Sequence, residues 1–290
     1  MLAVAATALL ATGGGAVIAS CGSDEDKGAV NVGQAAKATA AKGTARMTMQ
    51  MRMSGMGLPE PIDLKARGVT ALGEPRADLS MDLGPVLELV GAPAGGGRSL
   101  EMLVDGADLY VRPPRIEGLT IPGGKRWLAL DLRALAEAAG LPAEGVGALF
   151  NIDPASQLRA LRAAKGLEEV GKEEIDGAQT THLKGTYRLS DVIAALPERE
   201  RAEARRALDA LERIGGQETG VNQPVPADLW IDEDGVTRRM RATSKLPAQG
   251  GAPAGSVAVT YALSDFGAKL DTRAPPPDER YDATEALSRA

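Results

Sequence analysis

One cysteine and one histidine in 290 residues leave little for covalent or metal chemistry to work with. Disulfide frameworks and Cys/His zinc sites are excluded by that count. A hydrolase triad could only be built on His182, and His182 sits in the alternating stretch Gln179-Thr180-Thr181-His182-Leu183-Lys184 with no Gly-x-Ser-x-Gly elbow beside it. The carboxylate pairs Glu173/Glu174 and Asp232/Asp234 fall at turns and strand edges, where solvated charge explains them. The sequence therefore reads as a non-enzyme, with no catalytic residue and no metal site. What remains is a ladder of thioethers, Met47, Met49, Met51 and Met53. Thioethers are soft ligands for Cu(I). Alternate strand residues, however, stand about 6.6–7 Å apart at Cα, and no His or Cys lies near this ladder in sequence. Polarizable, flexible side chains in such a row are better suited to an apolar ligand.

The sole thiol, Cys21, belongs to a different argument. Residues 1–20 carry no charge, are rich in Ala, Leu and Val, and end where the polar run Gly-Ser-Asp-Glu-Asp-Lys-Gly begins. Ile18-Ala19-Ser20-Cys21 resembles a bacterial lipobox, in which small residues admit a signal peptidase and the thiol receives a diacylglycerol. Residues 1–20 are then a lipoprotein signal peptide, and no cofactor beyond the covalent lipid on Cys21 is expected. The protein is placed outside the cytoplasm, anchored to the outer face of the cytoplasmic membrane. The first basic residue is Lys27, so the usual basic n-region is missing and a start upstream of Met1 is expected. Gly13-Gly14-Gly15 in mid-segment argues against a retained membrane span.

Residues 21–42, rich in Ala, Gly, Asp and Lys without an apolar period, read as a flexible membrane tether. Residues 43–274 are long enough for one domain, and Pro275-Pro276-Pro277 opens a Pro-rich polar tail, 275–290. A composition of 44% hydrophobic and 25% charged residues fits a folded chain rather than a disordered or multi-span one. Thirty-three Lys and Arg against thirty-nine Asp and Glu give a net charge of −6. No basic stripe is left uncompensated along the chain, which excludes a nucleic-acid reader and argues against polyanionic partners generally.

Period-two alternation positions the methionines. Met47 to Met53 alternate with Arg46, Thr48, Gln50 and Arg52; Ile62, Leu64 and Ala66 alternate with Asp63, Lys65 and Arg67; Leu79, Met81 and Leu83 alternate with Asp78, Ser80 and Asp82. Each is a half-buried strand of an antiparallel sheet with one wet face. Asp105-Gly106, Asp176-Gly177 and Asp234-Gly235 supply tight turns between flanking strands, and Val257-Val259-Tyr261-Leu263 supplies a last strand. Consecutive hairpins exclude doubly wound nucleotide-binding folds as the first choice. Helices are expected over Leu132–Ala139, Asp153–Lys165 and Glu198–Ile214, the last with an apolar stripe of Ala204, Ala207, Leu208, Leu211 and Ile214 and a charge-compensated outer face. The fold class is thus α+β: a large curved antiparallel sheet covered on one side by helices.

Two Phe, two Trp and four Tyr leave an interior of Leu, Val, Ala and Met. Such a lining suits acyl chains better than sugars or nucleotides, although an aromatic-poor packed core has the same composition. The candidate lining residues are Met47, Met49, Met51, Met53, Leu64, Leu79, Met81, Leu83, Met102 and Val104.

Several separate patterns occur in a characteristic order. They are Cys21, the opening strand after the tether, Leu109-Tyr110-Val111 followed by Lys125-Arg126-Trp127-Leu128, and Leu229-Trp230-Ile231-Asp232 with Asp234-Gly235 and Arg238-Arg239-Met240. Tyr261, then Ser264-Asp265-Phe266-Gly267, then Ala274-Pro275-Pro276-Pro277 complete the series. Together they resemble actinobacterial lipoproteins of the LolA-like class, in particular the LppX/LprA/LprG group, over residues 40 to 282. The resemblance implies a half-open β-barrel under helices, with a hydrophobic cavity for acylated lipids or glycolipids in transit across the envelope, and a possible membrane transporter as partner. The alternative is a non-carrier envelope lipoprotein of the same fold that binds a protein partner or acts as a sensor domain. An open apolar cavity favours the carrier, and a filled interior with an exposed apolar patch favours the partner-binding form.

Overall fold

The computed structural model describes residues 32–91, 97–116, 120–138, 165–194, 223–248 and 253–284, with isolated positions at 198, 201, 202, 205, 206, 209 and 286. Its frame is a single sheet of β1 (Thr44–Gly55), β2 (Ile62–Ala71), β3 (Arg76–Asp82), β4 (Ser99–Asp105), β5 (Asp108–Arg112), β6 (Trp127–Asp131), β7 (Lys165–Ile175), β8 (Ala178–Tyr187), β9 (Val225–Asp232), β10 (Thr237–Leu246), β11 (Gly255–Ser264) and β12 (Arg280–Asp282). The order across the sheet is β12-β6-β5-β4-β3-β2-β1-β11-β10-β9-β8-β7. Every neighbouring pair is antiparallel except β12 against β6, which is parallel. The sheet curves but does not close: β7 and β12 are its two edges. Helices α1 (Val32–Ala41), α2 (Gly84–Leu89), α3 (Leu132–Ala138) and α4 (Leu189–Ala194) accompany it. Val32, Ala35 and Ala36 of α1 and Leu132 and Leu135 of α3 join the same apolar cluster as the sheet, so these helices lie on its apolar side. The α+β class is the observed architecture: an open curved sheet with a few helices, of which α1 and α3 lie on the apolar face.

Local chemistry accounts for the meander. At the β7–β8 turn Asp176 and Gly177 both have positive φ, 48° and 79°, the conformation that a tight turn demands and that Asp and Gly tolerate best. The β4–β5 turn sits one residue later than the sequence reading placed it, at Gly106-Ala107, with Asp105 paired to Asp108. Gly68 in β2 faces Met47 on one side and Leu79 on the other, and any β-carbon there would collide with the Asp78 carbonyl. The close approach at this glycine lets β2 and β3 bend inward together.

Two boundaries differ from expectation. The tether expected over residues 21–42 is helical from Val32, and α1 is docked, with Val32, Ala35, Ala36 and Thr39 buried. A short Ala-rich segment gives little helical period to read, and tertiary burial decides its conformation. The tail expected over 275–290 carries β12, which covers the β6 edge and buries Pro275 and Ala283. Its backbone pairs are Glu279 O with the Arg126 and Trp127 N–H groups and Ala129 O with the Ala283 N–H. The expected helix Leu132–Ala139 is α3. That over Asp153–Lys165 lies outside the described residues apart from Lys165, which opens β7, and of Glu198–Ile214 only isolated positions are described, all helical. Among the described residues no helix is long and apolar enough to cross a membrane.

The residues between β11 and β12 run along the ends of the central strands. Gly267 N–H donates to Thr44 O at 2.8 Å, Thr44 Oγ1 donates to Ala268 O at 2.6 Å, and Arg76 Nη2 donates to Thr272 Oγ1 at 3.0 Å. This strap closes the end of the sheet where Ala45, Met47, Leu72 and Ala77 are fully buried.

Helix α1 is fixed by Thr39, whose Oγ1 donates to Ala35 O at 2.7 Å and accepts the Thr237 N–H at 2.9 Å in a buried site. Replacing Thr39 by the isosteric Val orphans that N–H, at an expected cost of about 1–3 kcal/mol, while Thr39→Ser retains most of the stability. Urea unfolding of both variants tests this. Equal stability of Thr39→Val and wild type is incompatible with a docked α1.

Candidate ligand-binding face

The side chains that the alternation pointed to share one face. Across the sheet, Met47 stands between Leu263 and Gly68, Met49 between Tyr261 and Ala66, Met51 between Val259 and Leu64, and Met53 between Val257 and Ile62. The row continues through Ala66 to Met81 and Leu100, and through Gly68 to Leu79, Met102 and Val111. Val104 pairs with Ala77 and Leu109. All the candidate lining residues are therefore brought together except Leu83, which lies past the end of β3 at the N-terminus of α2.

Burial along β1 is graded. Met47 and Met49 are buried at 0% and 5% exposure, whereas Met51 and Met53 are half-buried. Met56, Met81, Met102, Leu246, Leu167 and Tyr187 are likewise partly covered and pack against the core. The apolar face is thus dry at the strap end and looser at the end where the β1–β2 turn, α2 and the β10–β11 connection meet. Leu89 and Val90 of the α2 region stand exposed there, at 47% and 68%.

The sequence reading limited the lining to the first half of the chain. Leu183, Leu229, Met240, Val257 and Val259 lie on the same face and in the same core. The signal was present, since Val257-Val259-Tyr261-Leu263 has the same period of two, but the partnership of β11 with β1 is long-range and not written in either strand. Tyr187 had no signal at all. Burial pushes its phenol up to about 12.

The residues that could have supported other chemistry sit elsewhere. His182 alternates with Leu183 and so lies on the opposite, polar face; its Nε2 is 2.9 Å from Asp228 Oδ1, and its ring stacks on Trp230 at 4.2 Å. Trp230 Nε1 donates to Glu173 Oε2 at 2.6 Å. Asp232 accepts from Val236 N–H and Arg238 Nε at the β9–β10 turn, which makes it a turn-holding carboxylate. Among the described residues no three His, Cys, Asp or Glu side chains converge to hold a metal. Cys21 lies outside the described residues.

Two measurements test this description. Met47→Ala should cost about 2–5 kcal/mol, as deletion at a closed site does, and Met53→Ala less than half of that; equal costs would contradict the gradient. The raised Tyr187 pKa means that the folded state holds the phenolic proton above the ordinary value of 10. Unfolded chains lose it first, so stability is unaffected below pH 10 and falls as pH rises from 10 toward about 12. Tyr187→Phe should lack that component of the alkaline decline.

Comparison with known proteins gives no matching family model. An uncharacterized 31.2 kDa protein from the rplA-rplJ intergenic region of Streptomyces griseus is 26% identical over 168 residues, 58% of this chain and 51% of that protein. The chain thus spans about half the length of this curated relative. Similar solved structures include LprF from Mycobacterium bovis, 17% identical, covering 84% of this chain and 94% of that one with a TM-score of 0.38. The Mycobacterium tuberculosis lipoprotein LppX is 14% identical, with 83% and 98% coverage and a TM-score of 0.36. A LolA superfamily protein from Nitrosomonas europaea is 12% identical, with 86% and 96% coverage and a TM-score of 0.28. The solved neighbours thus include LppX and a LolA superfamily member, from the classes that the sequence patterns resemble.

Proposed function

We propose that this protein is a membrane-anchored envelope lipoprotein that holds the acyl chains of a lipid or glycolipid against the apolar face of its sheet, for transfer or presentation. The observation that carries this reading is the graded face itself. Leu, Val, Ala and Met side chains run from strand to strand without a charged residue among them, sealed at one end and half-buried at the other. Thioethers and Leu adapt to a flexible chain, and each CH₂ withdrawn from water stabilises the complex by about 0.8 kcal/mol. A lipid leaving a bilayer gives up the same gain, so extraction is nearly balanced and release stays feasible.

The diacylglycerol on Cys21 would hold the domain at the outer face of the cytoplasmic membrane. Because α1 begins at Val32, the ten residues 22–31 set the reach between lipid and fold, at most about 35 Å for a fully extended chain. The loose end of the face can then work close to the lipid surface.

Native mass spectrometry of the full chain, expressed in a lipid-rich bacterial host and released from neutral detergent, followed by organic extraction, tests the reading. The expected result is a covalent diacylglycerol lost in Cys21→Ala, plus a separable lipid or glycolipid that is reduced about tenfold in Met51→Asp/Met53→Asp with an unchanged circular dichroism spectrum. A chain without any separable lipid, which also fails to take up added lipid, overturns the carrier. It leaves the partner-binding alternative, for which exposed Leu89 and Val90 are the first surface to mutate.

A further inference from the structure

The polar face of the same strands carries a trough of about 950 Å³. Its floor comes from β1 and β11, which contribute only short or uncharged side chains there: Thr48, Gln50, Thr260 and Ala262. Its walls come from the next strands out. Lys65 and Arg67 on β2 stand opposite Gln50 and Thr48, and Arg239 and Arg241 on β10 stand opposite Ala262 and Thr260. Three strand spacings separate the walls, about 14 Å at Cα. Arg98 reaches the trough beside Gly84, where it is paired with Glu88. Ser80, Ser99 and Trp230 complete the lining that matters, and Asp82 is its one carboxylate.

Arg98 and Arg239 have partners in the fold; among the described residues the other three cations do not. Among the described residues Lys65, Arg67 and Arg241 enter no ion pair. The carboxylates in the adjoining positions are already engaged: Asp82, opposite Lys65, accepts the Gly84 N–H at 2.8 Å, Asp63 pairs with Arg52, Asp228, opposite Arg241, with His182 and Lys184, and Glu173 with the Trp230 indole. Arg239 lies over Trp230 at 5.6 Å from the ring centroid and 3.9 Å from Glu173, which holds its guanidinium at the trough wall. Like charges two residues apart on one strand face repel, and facing walls of one sign in a concave site focus a positive potential between them. In a chain of net charge −6, this concentration exists only in three dimensions, because β2 and β10 are joined through β1 and β11. The expectation against polyanionic partners rests on the linear order of the chain, in which this juxtaposition is not visible.

From this geometry we infer that the trough binds a phosphorylated polyol, either free or as the headgroup of a lipid. Arg and Lys on both walls match phosphate groups at the two ends of such a ligand. The hydroxyls of Thr48, Thr260, Ser80 and Ser99 and the Gln50 amide supply donors and acceptors for its hydroxyl groups. The site is on the face opposite to the acyl-chain reading and stands or falls independently of it.

The test is isothermal titration of the full chain, held in phosphatidylcholine nanodiscs, with inositol hexakisphosphate. One saturable site is expected, weakened roughly tenfold or more by Lys65→Gln/Arg67→Gln and by Arg241→Gln alike, with unphosphorylated inositol giving no heat. These side chains are exposed, so the variants should keep the wild-type melting temperature. Doping the discs with phosphatidylinositol 4-phosphate distinguishes the sources: a fall in apparent affinity for the soluble probe assigns the site to lipid headgroups, and no change assigns it to a free phosphorylated polyol. Absence of saturable binding, or equal binding by the wild type and both variants, overturns the proposal. Attraction to anionic discs without binding of the soluble probe overturns it as well, since that is the behaviour of a diffuse charged surface.

Discussion

An apolar face that runs from strand to strand across one open sheet has to be kept from water, and most other features of this protein answer to that requirement. Each β1 methionine is flanked on both neighbouring strands by an apolar residue or a glycine, so the face is continuous. A flat sheet would leave it open. Bending at Gly68, the strap of residues 265–272 across the strand ends, and the packing of α1 and α3 all remove surface on that side. The covering is uneven, and the looseness of Met51, Met53 and Leu246 is what turns a core into a candidate binding face.

The edges obey a different constraint. An unclosed sheet exposes two rows of backbone donors and acceptors, and both are protected here. Strand β12 satisfies β6 and lays Arg280 over Tyr110 at 5.9 Å from the ring centroid. At the other edge β7 carries Glu168, Glu169, Lys172, Glu173 and Glu174, and irregular pairing with β8 twists it further from use as a template. Among the described residues the sheet thus stays open without offering an unprotected edge to a neighbour.

How much of this was legible depends on the range of each interaction. The alternation in Met47–Met53 and the Asp-Gly turns are local, and the sequence reading places those strands and hairpins, with the β4–β5 turn one residue early, because burial of one face and positive φ are written in adjacent residues. Val32–Ala41 and Arg280–Asp282 look like tether and tail in the sequence because their structure comes from distant partners: Thr39 needs the Thr237 N–H, and β12 needs the free edge of β6. Leu83 continues the period of the lining in sequence, but the backbone leaves the strand at that point. Tyr187, Leu183 and Met240 were missed as lining because only the pairing of β1 with β11 brings the second half of the chain onto the first.

The same pairing gives the central strand two chemistries. In β1 the odd positions from Met47 to Met53 address the apolar side, and Thr48 and Gln50 form the floor of the cationic trough. A period of two makes these sets inseparable: a slip of one residue against β2 or β11 would turn the methionines to water and bury Arg46, Arg52 and Gln50. Burial of the apolar set therefore fixes the register that aligns Lys65 and Arg67 with Arg239 and Arg241 across the trough. Whatever binds one face inherits its geometry from the packing of the other. Substitutions that loosen the methionine ladder act on the trough through the sheet without touching it.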